Sequence, residues 1–140
     1  MRITMSDVEH TLSIIKPDAV ERNLEKNIKK MFFDKGFKIV NEKKIQIEKN
    51  EAERFYKVHE TKPFYNDLCS YLSSGPIIVM VLEKKNAVLD NRKLMGATNP
   101  KDADEGTIRA KYGISIDKNS VHGSDSVENA KIEIDFFFKD

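Results

Sequence analysis

The sharpest motif in the chain is Asn119-Ser120-Val121-His122-Gly123-Ser124-Asp125. It reads as a short strand, Ser120–His122, that ends on an imidazole, with Gly-Ser-Asp leading straight into a helix. Glycine lets the backbone turn sharply, and Ser124 or Asp125 can cap the helix that follows. The imidazole then sits at a rigid edge beside a helix N-terminus, whose orphan N–H groups attract anions. Neutral imidazole is a competent nucleophile near pH 7, because its unperturbed pKa is about 6.5. The plainer reading of the same residues is a partly buried histidine bonded to the backbone in a turn.

Arg92, Thr98 and Arg109 lie in or beside a stretch, Thr98–Asp117, rich in Gly, Asp and Lys. Arginine forks match phosphate oxygens bidentately, and a threonine hydroxyl adds one more bond; solvated surface arginines are the alternative. Tyr56 and His59, three apart on a predicted helix, share a face. Phe64, just after Pro63, is either an exposed aromatic for stacking on a nucleobase or a core residue. Lys16 is either an active-site ammonium or an ordinary charge at a strand end. There is no Gly-x-x-x-x-Gly-Lys-Ser/Thr loop, no Gly-x-Gly-x-x-Gly fingerprint and no Gly-x-Ser-x-Gly elbow. Three histidines, without a His-x-x-x-His pair, make a histidine-built metal site improbable. The nucleophile candidates reduce to His122, with Cys69 a distant second inside an apolar helical stripe.

These residues need elements to hold them. Thr11–Lys16 is the first predicted strand, ended by Pro17-Asp18. Leu24, Ile28, Met31 and Phe32 recur at helical spacing and Gly36 stops them. Phe37–Ile47 reads as a second strand with a bend or exposed edge at Asn41–Lys44. Asn50 and Glu53 form a capping-box variant, so a helix is expected from there to about His59. Phe64, Leu68, Cys69 and Leu72 give another helical stripe. Ile77–Leu82, an uninterrupted apolar run, is the pattern of a strand buried on both faces. Asn86 is placed to cap a helix through Met95, stopped by Gly96, and a short helix falls near Thr107–Tyr112. Val127, Ala130 and Ile134 mark the last one. Strands interleaved with helices predict an α+β layer, with helices covering one face of a small sheet.

At 140 residues the chain has the length of one domain, and 39% hydrophobic residues can fill its core. Lys and Arg number 24 against 23 Asp and Glu. That balance argues against a nucleic-acid binder and against disorder. The single cysteine, Cys69, leaves no partner for an intramolecular disulfide and suits a reducing, cytoplasmic setting. The longest apolar run, Ile77–Leu82, is far short of the roughly 18 residues of a membrane span. The first residues lack the apolar core of a secretory signal.

Taken together, the motifs resemble those of the nucleoside diphosphate kinases. The matching blocks are Thr11-Leu12-Ser13-Ile14-Ile15-Lys16-Pro17-Asp18-Ala19, Ser74-Gly75-Pro76, Arg92 to Pro100, Gly106-Thr107-Ile108-Arg109, and Asn119 to Asp125. They occur in the family's order from about Thr11 to Phe138. The resemblance implies a ferredoxin-like βαββαβ core with a four-stranded antiparallel sheet. It implies reversible transfer of the γ-phosphate of a nucleoside triphosphate, typically ATP, to a diphosphate such as GDP. Transfer is ping-pong, through phospho-His122, with Mg²⁺ carried by the nucleotide phosphates. Lys16 and Asn119 match residues that hold the ribose, and Phe64 the aromatic under the base, with Ile116 closing the other side. Arg92, Thr98, Arg109 and His59 match phosphate contacts. Tyr56 lies against the imidazole, Glu133 matches the carboxylate that orients it, and Gly123 and Ser124 shape the same corner.

The resemblance further implies a homo-oligomer, tetramer or hexamer with a lean to hexamer. In support, Leu24–Phe32 and Ile132–Phe138 carry more apolar surface than one small sheet obviously needs. The chain departs from the family at Lys26, where glycine is usual, at Met31-Phe32, and in ending early at Phe136-Phe137-Phe138-Lys139-Asp140. Residues 1–9 read as a short disordered lead to a single domain over 10–140. The rival classes are a non-enzymatic nucleotide-binding or regulatory module and a phosphohistidine donor to proteins. A nucleic-acid role is the weakest reading, given the charge balance.

Overall fold

One strand whose buried side chains alternate between two cores organises the molecule, a computed structural model that describes residues 8–116 and 118–138. In β3 (Ile77–Lys85), Ile78, Met80 and Leu82 join one buried cluster while Ile77 and Val79 join another. Successive side chains of a strand point to opposite faces, so both faces of this sheet are covered. Here the one-face expectation fails. The first cluster packs α1 (Pro17–Glu21), α2 (Glu25–Asp34), α5 (Ala87–Met95) and α6 (Ile108–Tyr112). The second packs α3 (Lys49–Phe55), α4 (Tyr65–Leu72) and α7 (Val127–Phe138). An uninterrupted apolar run is what a doubly covered strand requires.

Pairing is antiparallel throughout, in the order β2-β3-β1-β4. β1 (Val8–Ile15) and β3 fill the centre; β2 (Lys38–Ile45) and the three-residue β4 (Val121–Gly123) form the edges. This is the ferredoxin-like arrangement that the resemblance implies. The open edge β2 carries Lys38, Lys43 and Lys44 and a bulge between Ile39 and Asn41, both of which discourage further strand pairing.

Several local expectations are corrected. β1 begins at Val8, where Val8 and Glu9 pair with Lys85 and Lys84, so these two belong to the sheet and not to a lead; residues 1–7 lie outside the described residues. Pro17 opens a helix as well as ending a strand, since its missing N–H costs nothing at the first helical position. The capping box of α3 is Glu48 with Glu51, two residues before the expected Asn50 and Glu53. α3 stops at Phe55, and a 3-10 turn follows at Lys57–His59. Asn86 precedes α5 in a left-handed conformation (φ 58°) without a side-chain cap. The Glu9 carboxylate accepts from the Val88 N–H instead. Neither Ser124 nor Asp125 caps α7: the Ser126 hydroxyl accepts from the Asn129 N–H.

The apolar excess expected to mark an interface is mostly consumed inside the chain. Ile28, Phe32 and Phe137 are buried, while Leu24, Met31, Ile134, Phe136 and Phe138 pack against the clusters. Phe33 (56% exposed) and Ile132 (67%) remain outside.

Candidate active site

β4 points its side chains alternately. Val121 is buried in the α5 layer, and Gly123 lies against Asn91 and Met95 of the same layer. His122 faces the other way, towards α3 and α7. A Cβ on Gly123 would stand 2.4 Å from the Asn91 Nδ2 and 2.7 Å from the Met95 Cε. Glycine is needed at 123 for this close approach, not for the sharp turn expected of it. The strained residue is Ser120, whose φ of 76° is unusual for a side-chain-bearing residue.

Hydrogen bonds select one tautomer of the neutral imidazole. The Leu12 N–H donates to the Ser124 Oγ at 3.2 Å, while the Ser124 N–H donates to the Leu12 carbonyl. The hydroxyl proton of Ser124 is thereby directed at the Glu133 Oε1, 2.8 Å away. The same carboxylate oxygen lies 3.0 Å from the His122 Nε2. An oxygen that accepts from serine accepts from histidine too, so in the neutral ring Nε2 carries the proton and Nδ1 the lone pair. The pair is mostly buried (19% and 18% side-chain exposure), where such a bond is worth more than in water.

Aromatic rings border the imidazole. Phe55 meets it at 5.3 Å and 70°, and Tyr56 at 6.2 Å and 81°. The line of rings continues from Tyr56 to His59 and from His59 to Phe64, which is 44% exposed and has the Lys62 ammonium over its face. The buried Tyr56 hydroxyl is pushed well above its ordinary pKa, first by burial and then by Glu133. Neither that hydroxyl nor the His59 Nδ1 has a protein partner among the described residues.

A second set of contacts gathers the basic residues. The Lys16 Nζ donates to the Asn119 Oδ1 at 2.9 Å, and the Asn119 Nδ2 donates to the Thr98 carbonyl at 3.1 Å. Arg109 donates through one nitrogen to the Gly96 carbonyl (3.0 Å) and through another to the Val121 carbonyl (2.9 Å), clamping the loop after α5 to β4. Its Nε is buried and unpaired. Burial, and then the neighbouring Arg92, lower its pKa to about 10, so it stays cationic at neutral pH. Among the described residues neither arginine has a carboxylate partner. Two adjacent, uncompensated guanidinium groups make a site for a polyanion.

Arg92 and Thr98 are exposed at its rim. Ile116, 53% exposed on the segment between α6 and β4, stays outside both sets of contacts. Sequence reasoning missed Phe55, which in sequence is one more apolar residue of α3. It also missed the buried Asp18, which accepts from Arg22 (3.0 Å), Ser120 (3.1 Å) and the Tyr71 hydroxyl and so supports the strained turn before His122. Asp18 had a signal, its place in the Lys16-Pro17-Asp18 block. Phe55 had none.

The family model for nucleoside diphosphate kinase matches residues 9–140. A nucleoside diphosphate kinase of Campylobacter lari is 59% identical over 131 residues, covering 94% of this chain and 96% of its own. That of Granulibacter bethesdensis is 57% identical, with 94% of each chain covered. Among solved structures, the Aquifex aeolicus nucleoside diphosphate kinase superposes with a TM-score of 0.92 at 38% identity, over 94% of this chain and 96% of its own. The enzyme of Encephalitozoon cuniculi gives 0.91 at 40% identity, over 94% and 90%. Sharing well over half of its residues with such relatives along nearly their whole length, the chain belongs to the nucleoside diphosphate kinase family.

Proposed function

We propose that His122 is the nucleophile of this nucleoside diphosphate kinase and that it attacks through Nδ1. The enzyme moves the γ-phosphate of a nucleoside triphosphate reversibly onto a nucleoside diphosphate. The observation that supports our assignment is the relay from the Leu12 N–H through Ser124 and Glu133 to the His122 Nε2, which in the neutral ring leaves Nδ1 as the nitrogen with the lone pair. In the first half-reaction the Nδ1 lone pair forms a bond to Pγ as the bond from Pγ to its bridging oxygen breaks. The electron pair of that bond leaves with the diphosphate. Nε2 keeps its proton, and the positive charge gained by the ring is balanced by Glu133. In the second, a terminal phosphate oxygen of the acceptor attacks the same phosphorus and the pair returns to Nδ1.

Phosphoryl transfer needs positioning and charge neutralisation more than covalent help. Arg109 and Arg92 supply the charge, with His59, Thr98 and the Tyr56 hydroxyl as further phosphate contacts. Lys16 and Asn119, bonded to one another, bind the ribose hydroxyls. Phe64 offers a half-exposed ring on which a base stacks, with Ile116 on the other side. Stacking accepts any π-face, so purine and pyrimidine diphosphates are both substrates. The nucleotide enters as its Mg²⁺ complex. Among the described residues no three His, Cys, Asp or Glu side chains converge on a metal position, and phosphate oxygens with water suit the ion. A cytoplasmic setting fits the buried free thiol of Cys69. Self-association completes the proposal, with exposed Phe33 and Ile132 as candidate contacts.

Incubation with γ-labelled ATP tests the reading. The label is expected to be acid-labile, base-stable, transferable to GDP and absent in His122→Ala, with parallel lines in double-reciprocal plots. Intersecting lines, or a label that survives His122→Ala, refute it.

A further inference from the structure

We infer that Phe55 is a positioning residue of the transfer reaction: its ring, packed against the last turns of α7, holds the His122 imidazole in the plane in which Nε2 meets Glu133 and Nδ1 is presented. The inference rests on His122 being the nucleophile. The terminal torsion of a histidine side chain is broad and roughly two-fold. Half a turn about it puts Cδ2 where Nδ1 stood and Cε1 against Glu133, a ring with no lone pair towards the phosphate. Against that turn stands one hydrogen bond of 3.0 Å. A half turn restores the same ring plane, so that bond alone selects the end presented; the edge-to-face contact of Phe55 at 5.3 Å acts on the plane itself, since a ring tilted out of it loses the contact and turns Nε2 out of line with Glu133.

Phe55 is itself fixed. Phe136 lies 5.6 Å and Phe137 5.2 Å from its ring, and these two meet each other at 5.0 Å and 75°. The Arg54 guanidinium lies over the Phe136 ring at 5.6 Å. Phe136 and Phe137 follow Glu133 by three and four residues in α7, so all three share one helix face. One rigid helix therefore delivers both the carboxylate that bonds Nε2 and the aromatic clamp behind Phe55. The restraint and the hydrogen bond act together because they have a common support.

The test compares the full chain carrying Phe55→Ala, Phe55→Tyr or Phe136→Ala with the unsubstituted protein. Each is read for half-reaction rate with Mg²⁺–ATP, for KM, and for the ¹⁵N shifts of His122, which report which nitrogen holds the proton. In the unsubstituted protein the shifts are those of the Nε2–H tautomer. Phe55→Ala is expected to move the two shifts towards each other and to slow phosphorylation roughly 2- to 10-fold, the size of one such aromatic contact, with KM unchanged. Phe55→Tyr keeps the ring and restores both readings. Phe136→Ala, which removes the support without touching His122, moves both in the same direction by less. Unchanged ¹⁵N shifts and a rate within two-fold in Phe55→Ala overturn the inference, as does an effect on KM alone. Were Phe55→Ala not to fold, unchanged shifts and rate in Phe136→Ala would overturn it equally. Label that survives His122→Ala fails the nucleophile assignment instead, so the two failures are distinct.

Discussion

Replacing Glu133 by glutamine keeps the shape of the relay and removes its charge. The amide Oε1 can still accept from Ser124, whose hydroxyl is oriented by the Leu12 N–H, and from the His122 Nε2, so tautomer and geometry persist. What is lost is the carboxylate that balances the imidazolium formed as Nδ1 bonds to phosphorus. A hydrogen bond to a charged partner contributes about 1.5–3 kcal/mol, a neutral one about 0.5–1.5. The difference of about 1–1.5 kcal/mol, at 1.36 kcal/mol per decade, predicts a roughly 5- to 12-fold slower phosphorylation of His122. Nucleotide KM should not change, because the loss falls on the transition state alone. Glu133→Ala removes both bonds, strands the buried Ser124 hydroxyl and frees the imidazole, so its deficit should reach about 100-fold. The chain contains no tryptophan to report by fluorescence. Rapid quench with γ-labelled ATP is therefore the assay. A glutamine variant within two-fold of the unsubstituted enzyme, or glutamine and alanine variants equally slow, would refute the relay.

Three further outcomes are expected. Gly123→Ala forces a methyl to within 2.4 Å of the fully buried Asn91 side chain, and this overpacking should lower stability by about 1–3 kcal/mol in denaturant titration, with partial recovery in combination with Asn91→Ala; an undiminished midpoint would contradict the close approach. Arg109, lowered to about 10, is cationic below that pH and neutral above it, so nucleotide KM should rise as pH passes about 10 and this rise should be absent in Arg109→Ala; a rise that persists in that variant would remove Arg109 as its cause. Light scattering after size exclusion should show a homo-oligomer at micromolar concentration, weakening in Phe33→Glu, whereas a monodisperse monomer would exclude self-association.

Local chemistry was enough to read much of this protein from its residues in order. The helical stripes of Ile28–Phe32 and Leu68–Leu72, the buried run Ile77–Leu82 and the stop at Gly96 depend on neighbours a few positions away, and each element stands where its spacing puts it. The family motifs likewise pointed to the polar residues that the fold brings together around His122 and Arg109, because polar chemistry at a fixed spacing is itself the signal. Cap positions shifted by a residue or two because several side chains compete for the same orphan N–H groups. Glu48 and Ser126 won from positions that spacing did not favour.

What only the tertiary structure decided are the contacts between residues far apart in the chain. The run Ile77–Leu82 announced a strand covered on both faces, but which helices cover each face, α3, α4 and α7 on one of them, is decided only by packing. Whether the apolar residues of α2 and α7 are interface or core depends on how much partner surface the rest of the chain offers, and it offers nearly enough. Gly123 is a glycine because of Asn91 in another element, not because of its own turn. Which nitrogen of His122 faces a carboxylate follows from a backbone amide 110 positions earlier, through a serine and a glutamate. Phe55, one apolar residue among many in sequence, acquires its place beside the imidazole only when α3 and α7 close around β4, because apolar contact carries no directional label in the side chain itself.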